Sequence, residues 1–504
     1  MAFRMNDNNQ HLPANDRSPH LAEPKLARSM GGFSSFAISM STICILSGGI
    51  TSFHVGFCGV GPAAIGIGWP LEVLFALIVA LTMAQVASAF PTAGGTYHWA
   101  YTLGGKGWGW VTAWFSIAGL VTALAAVDVG LCGFVESVAR EFLGTEKASD
   151  WVRNGAIVLV IFSQAFINHH GMRLTRRLND FAGYLIVVVA MLLTLAMVFK
   201  IMQSDFDPAR LFTFTNYSGH GPPGEIPTYP RTENMFLLFA LGLLLPAYTL
   251  TGFDASAQTA EETRNPTHAV PRGIVRAVLI SGIAGWIVLS AVVLAAPDLD
   301  RAAQQGPGCF NCIVGDVVPN WKVRLPLYAG IAVAQYLCGL AVVTSVSRMT
   351  FAFARDGGIP LSRFLRRISP VRRTPSLAIW AVAAAAAFFA VIDYETIAAV
   401  CAIYVYLSYV LPTTLGLLAH GRTWTRMGPW HLGHWYRPLA VLCVLGCAGL
   451  IVIGLQPPNE IAVWVVGGSI LVLAAIWFGY KCRHFPGPPE EILLQLRSGN
   501  HSTQ

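Results

Sequence analysis

Twelve apolar stretches, most of them long enough to cross a bilayer, limit this chain to very few folds. A hydrocarbon core about 30 Å thick takes roughly 20 apolar residues of helix. The stretches fall near residues 36–56, 69–90, 108–135, 155–168, 181–202, 235–259, 274–296, 325–354, 377–392, 397–418, 439–455 and 461–480, the fourth and ninth being short. Charged residues make up 12% of the 504, about half the share in a soluble domain, and 54% are apolar. Such a balance argues against a secreted disulfide scaffold, a disordered chain or a nucleic-acid module. Ten cysteines are too few for a disulfide framework.

The net charge of +7 is read as topology, because cytoplasmic segments of membrane proteins gather Lys and Arg. With both termini inside, 23 of the 33 Lys and Arg fall in inside segments, nine in outside loops, and Arg348 lies within the eighth span. The loop with Arg355, Arg363, Arg366, Arg367, Arg372 and Arg373 is the strongest marker. Residues 1–30 are expected to be a disordered cytoplasmic tail without the apolar core of a signal peptide, and 481–504 a second tail. Two long outside loops, 203–234 and 297–324, are rich in Pro and Gly; Cys309 and Cys312 in the second could form a local disulfide or remain thiols.

Interrupted helices point to a site, because broken backbone is tolerated in a membrane only where protein buries it or it lines a cavity. The first span carries Ser47-Gly48-Gly49-Ile50-Thr51 near its middle, and each glycine lowers helical preference by about 1 kcal/mol against alanine. In the sixth, Pro246 precedes Tyr248-Thr249-Leu250-Thr251-Gly252-Phe253-Asp254. Breaks five helices apart are the pattern of inverted repeats with a midplane substrate site. Amides freed at Gly48, Gly49 and Ile50 would face a carboxylate, and carbonyls freed near Ile45, Tyr248 and Leu250 would accept from an ammonium. A zwitterion fits better than a sugar or a bare cation. The alternative is that Gly48 and Gly49 only permit close helix packing. Asp254 is costly in an apolar span and by default faces a cavity or a partner, which makes it either a proton carrier or a structural acceptor. Asp128, in the third span, invites the same two readings. Glu72 is expected near the outer interface, and Glu261 with Glu262 near the inner one. No phosphate loop and no H-E-x-x-H is present, and no nucleophile and base pair stands out, so ATP hydrolysis, a metal site, a cofactor and enzymatic activity are not expected.

These residues resemble the amino acid, polyamine and organocation permease superfamily, most closely its branch of amino acid, choline and 4-aminobutyrate (GABA) permeases. The likeness runs from about Gly31 to Tyr480. It rests on the helix 1 break, on Ala89-Phe90-Pro91-Thr92-Ala93-Gly94-Gly95-Thr96-Tyr97-His98-Trp99, on Thr251-Gly252-Phe253-Asp254 leading to Glu261-Glu262-Thr263-Arg264-Asn265-Pro266, and on Ser347-Arg348 leading to Phe353-Ala354-Arg355-Asp356-Gly357-Gly358. The resemblance implies an all-α fold of about twelve transmembrane helices. Its core would be a five-plus-five inverted repeat (31–202 and 235–418) with broken helices 1 and 6, followed by two additional helices (439–480). It further implies that helix 1 binds the carboxylate and helix 6 the amine, with Tyr248 or Phe253 as an aromatic wall and Asp254 in proton coupling.

The chain departs from the family pattern twice: Gln85 stands where many relatives have a glutamate, and the only lysine of helix 5, Lys200, is near its outer end. Sodium stays open, since Thr344, Ser345 and Ser347 of helix 8 could join helix 1 carbonyls around a cation, whereas hydroxyls in apolar helices more often bond their own backbone. The expected protein is a plasma-membrane secondary transporter of a small amino acid or GABA, working by alternating access with a proton, sodium or exchange partner. A choline or polyamine permease and a non-transporting sensor are the alternatives.

Overall fold

The computed structural model describes residues 30–489 apart from 204, 205, 225 and 393. The tails expected at 1–29 and 490–504 lie outside the described residues. The first span is split into α1 (Gly32–Ile43), α2 (Gly48–Thr51) and α3 (Phe53–Val60). Next come α4 (Trp69–Ala89), the short α5 (Thr96–Gly104), α6 (Lys106–Leu143), α7 (Asp150–His170) and α8 (Met172–Ile201). The sixth span is broken into α9 (Met235–Gly242), α10 (Leu244–Thr249) and α11 (Ala255–Gln258). There follow α12 (Pro266–Ala295), α13 (Leu299–Ala303), α14 (Cys309–Val317), α15 (Trp321–Arg355), α16 (Ser362–Leu365), α17 (Ser376–Phe389), α18 (Tyr394–Ala419), α19 (Tyr436–Gly454) and α20 (Glu460–Ile476). Among the described residues no strand forms. Ten helical segments are long and apolar enough to span, and Met235–Thr249 and Ser376–Phe389 are shorter apolar helices. The fold is therefore the all-α membrane architecture read from the sequence, with helices 1 and 6 interrupted.

Packing explains which helices occupy the middle. Most of α15 from Ala334 to Ala354 and of α18 from Thr396 to Tyr409 is buried, so these helices need no amphipathic stripe. By contrast α8 and α20 turn Leu192, Leu195, Phe199, Leu471 and Val472 outward, as helices facing hydrocarbon do. Apolar lipid gives no hydrophobic drive for helix pairing, so close contact of small residues substitutes for it. At Gly282 of α12 a Cβ would stand 2.6 Å from Val73 of α4, and the Gly282 carbonyl accepts from Trp69 Nε1 at 2.9 Å.

Several expectations change. The short fourth stretch is part of a full-length helix, α7, because polar residues at its ends, Asp150 and His169-His170, stay helical. Loop 297–324 is largely helical, with the amphipathic α14 burying Cys309, Phe310 and Val314. All ten cysteines are thiols. Helical winding aims Cys309 at Cys58 of α3, while Cys312 faces Asp316 at 3.9 Å, so of the two alternatives, local disulfide or thiols, the structure has the thiols. Residues 481–489 are not a loose tail: Phe485 is buried with Tyr97, Trp110 and Phe353, and Lys481 Nζ donates to Gly357 O at 3.0 Å. Glu72, in the first turn of α4, faces the protein interior, 3% exposed and accepting from Tyr406 Oη at 3.1 Å.

Candidate functional site

Helix 1 breaks because Cys44 turns into the left-handed region (φ 31°, ψ 84°), which throws the next residues off the helical ladder. The chain re-enters helix at Gly48. Gly48 N–H is bonded to Cys44 O at 3.1 Å and Ile50 N–H to Ser47 O at 3.2 Å. Of the three amides expected to be free, only that of Gly49 makes no backbone hydrogen bond among the described residues, along with those of Ile45 and Leu46 in the break itself. Tight turns inside the break recapture the Gly48 and Ile50 donors at once.

Helix 6 breaks after Thr249, where Gly252 sits at φ 83°, a conformation open to glycine. A Cβ there would also meet Thr42 Cγ2 at 2.5 Å. Tyr248 O already accepts from Thr251 Oγ1 at 2.7 Å, whereas the carbonyls of Ile45 and Leu250 take no hydrogen bond among the described residues. At Gly48 a Cβ would lie 2.8 Å from Thr249 Cα, while at Gly49 nothing stands nearer than 3.7 Å. Gly48 thus lets the two breaks touch, as the packing alternative required, and Gly49 is not explained that way.

Between the breaks lies a cavity of about 20 Å³, room for about one water. Ser47, Gly48, Tyr248, Thr251 and Gly252 line it, with Thr42, Leu120, Val127, Cys338 and Val405 completing the wall. No acidic or basic side chain is among the lining residues. Ser47 Oγ is buried without a hydrogen-bond partner among the described residues. Gly49, Ile50, Thr51, Leu250 and Phe253 are behind this wall. Phe253 is fully buried against Tyr409, ring centroids 5.0 Å apart. Tyr248 meets Tyr394 edge-on at 6.2 Å, and Tyr394 Oη is 2.8 Å from Thr51 Oγ1 and 2.7 Å from Ser52 Oγ, so the α18 start caps the cavity on the α3 side. His54 Nε2 and Glu395 Oε1 add a 3.2 Å contact beyond it.

The expected coupling residues lie off the cavity. Asp254 is 2% exposed and accepts from Tyr409 Oη and Gln258 Nε2, both at 2.7 Å, and the same Tyr409 oxygen accepts from Gly252 N–H at 3.1 Å. One tyrosine therefore joins the carboxyl to the helix 6 break. Asp128 takes Gln164 Nε2 at 2.7 Å and faces α7, leaving Oδ2 without a partner among the described residues. Thr344 donates to Asn168 Oδ1 at 2.8 Å, also toward α7, and Ser345 Oγ is buried unpartnered. The helix 1 carbonyl of Leu46 meets an amide donor, Gln335 Nε2, at 3.0 Å. Thr344 is thus not brought to helix 1 as a sodium site would need. Tyr409, Gln164 and Gln335 carried no local signal in the sequence, since each lies in an apolar run, whereas the spacing of Gln258, four residues after Asp254, was the one local cue.

At the end of the bundle where α1 begins, the other signatures meet. Arg348 Nε is 3.1 Å from Glu262 Oε1, both fully buried, and Arg355 bonds Glu261 at 3.3 Å and Asp356 at 3.3 Å. Asp356 Oδ2 also takes Tyr97 Oη at 3.0 Å and lies 2.8 Å from His98 Nε2. Gln85 instead serves the α18–α19 connection, accepting from Leu432 N–H at 2.8 Å.

The sequence profile described as "Amino acid permease" matches residues 30–479. The chain belongs to that family. Amino-acid permease BAT1 of Arabidopsis thaliana is 30% identical, the alignment covering 93% of this chain and 95% of the relative. The GABA-specific permease of Saccharomyces cerevisiae is 26% identical over 92% and 83%, and amino-acid permease 2 of Neurospora crassa 26% over 92% and 87%. As a permease the protein is a multi-pass membrane transporter rather than an enzyme.

In this permease the Asp356 cluster gives a pH test outside the spans. Burial pushes the Asp356 carboxyl up, but the His98 hydrogen bond and charge, Arg355 and Tyr97 outweigh it and hold the carboxyl below its usual range. Because the folded value is depressed, the contribution is complete above an unfolded Asp value of about 3.9 and is lost as pH falls below it. His98→Gln is expected to cost about 1.5–3 kcal/mol near pH 7 and to flatten the loss of thermal stability below about pH 4. Melting curves from pH 3 to 7 check this, and parallel curves for both proteins would dismiss the role of His98.

Proposed function

We propose that this permease moves a small zwitterion, an amino acid or GABA, across the plasma membrane by alternating access, with both termini cytoplasmic. The observation that carries this is the small cavity at the meeting of the two breaks, walled by backbone, hydroxyls and one tyrosine on the side of the breaks, by apolar residues such as Leu120, Val127, Val342 and Val405 elsewhere, and lacking any charged side chain. The backbone groups left free beside it, the Gly49 amide and the Ile45 and Leu250 carbonyls, stand behind the closed wall; exposed as the breaks part, they would complement a carboxylate and an ammonium held on one short molecule. A choline or polyamine substrate would call for a carboxylate in the wall, and Asp128 faces α7 instead; only Tyr248 speaks for that reading.

With room for about one water, the closed cavity fits an occluded state without substrate, and it would have to widen to admit one. Helices 1 and 6 would part from α18 at Tyr248 and Tyr394 to open outward, and the Glu262–Arg348 and Asp356–His98 contacts would part to open inward. In the inverted-repeat reading, 31–202 and 235–418 form the two halves and 439–480 the added helices. Asp254, tied by Tyr409 to the Gly252 amide, is the group proposed to carry the coupling proton. The test is uptake of labelled neutral, basic and acidic amino acids, GABA, choline and putrescine by purified protein in liposomes under imposed proton or sodium gradients. Saturable uptake of one zwitterion, driven by one gradient, is the expected result. Uptake of choline or putrescine alone would overturn the role given to the breaks, and binding without counterflow would make the protein a sensor.

A further inference from the structure

A second concavity lies far from the breaks, where the start of α1 meets the first turns of α12. It is a groove of about 270 Å³ lined by Phe36 of α1 and by Arg264, Asn265, His268, Arg272 and Arg276, with no acidic residue among its lining. Arg272 and Arg276 follow His268 at intervals of four, so all three project from one face of α12. All three arginines are exposed and have no ion pair among the described residues. Uncompensated cations gathered in one groove are costly to the fold through mutual repulsion, and neither the transport site nor the ion-pair cluster uses them.

What continues along the same helix face decides the ligand. One turn beyond Arg276 come Leu279 and Ile280, each 41% exposed, then Ile283 at 49% and Ile287 at 48%. A basic rung followed by apolar rungs turned outward matches the order of an anionic headgroup and its acyl chain. A soluble anion would need only the arginines.

We propose that this groove binds the phosphate of an anionic phospholipid, in the leaflet the proposed orientation makes cytoplasmic, with the acyl chain along the α12 stripe. The site spans the α1–α12 seam, so an occupied groove ties the first half of helix 1 to helix 7. The shared chemistry is a phosphate ester, which a free phosphate could also offer, and the experiment separates the two.

Delipidated full-length protein is titrated with phosphatidylglycerol, phosphatidylcholine or inorganic phosphate, and retained ligand is read by native mass spectrometry. Phosphatidylglycerol is expected to be kept at least about tenfold more strongly than phosphatidylcholine, and to lose that preference in Arg264→Gln/Arg272→Gln/Arg276→Gln. It should be unaffected in the charge-matched Arg363→Gln/Arg366→Gln/Arg367→Gln. Arg272→Gln alone, at an exposed and unpaired position, gives a partial loss should the triple variant fold poorly. Equal retention of both lipids, loss in both triple variants alike, or displacement of the lipid by millimolar phosphate would each overturn the proposal. The readout uses neither substrate nor gradient, so failure of the transport reading leaves it standing.

Discussion

Arg348→Leu is expected to destabilise the protein by about 3–5 kcal/mol, because it strands the Glu262 carboxylate without its cation. Both partners are essentially sealed, 1% and 2% exposed, and Glu262 Oε2 has no second donor among the described residues. The pair joins the loop after α11 to α15 two turns before its C-terminal end, and Arg348 reaches Thr344 O and Ser347 Oγ from the same guanidinium. Removing both charges together should be far milder, since desolvation of an ion pair offsets much of its attraction. The double variant Glu262→Gln/Arg348→Leu is therefore expected to recover most of the loss. Thermal unfolding in detergent, run on both single variants and the double, checks this. Additive losses in the double variant would show that the two side chains act separately.

Asp254→Asn is expected to abolish gradient-driven accumulation while sparing substrate exchange. An asparagine keeps one acceptor but puts an N–H pair where the carboxylate receives either Tyr409 or Gln258. Gln258, whose Oε1 has no partner among the described residues, can turn its amide to accept from that N–H pair, which leaves Tyr409 its acceptor and Gly252 N–H its hydroxyl oxygen, so the change removes the titratable proton and keeps the break. Accumulation should fall at least about tenfold, equivalent to about 1.4 kcal/mol of lost coupling, with counterflow of labelled substrate retained. Full accumulation in the variant would remove Asp254 from the coupling step. Loss of counterflow as well would make the residue a support of the break rather than a proton carrier.

The comparison of Gly48 and Gly49 shows how far a sequence can be read here. Both glycines were visible as helix weakeners, yet only the approach of Thr249 Cα to Gly48 separates a packing glycine from one with an open face. Likewise the acid at 254 was identifiable from its cost in an apolar span, while its partner Tyr409, 155 residues away on another helix, was not. Asp128 invited the same two readings as Asp254 in the sequence, without the adjoining glycine break. Its helix rotation sends it to Gln164, away from the cavity that its neighbour Val127 lines.

The number of spans, the two interruptions and the family follow from the sequence by itself, because apolar length and loss of helical preference are local properties that a bilayer enforces residue by residue. Tertiary structure alone decided which freed amides were recaptured, that Cys309 faces Cys58, that Phe485 folds back into the core, and that distant signatures share one ion-pair cluster. Those outcomes depend on helix rotation and on contacts between residues far apart in the chain, and no local preference encodes either.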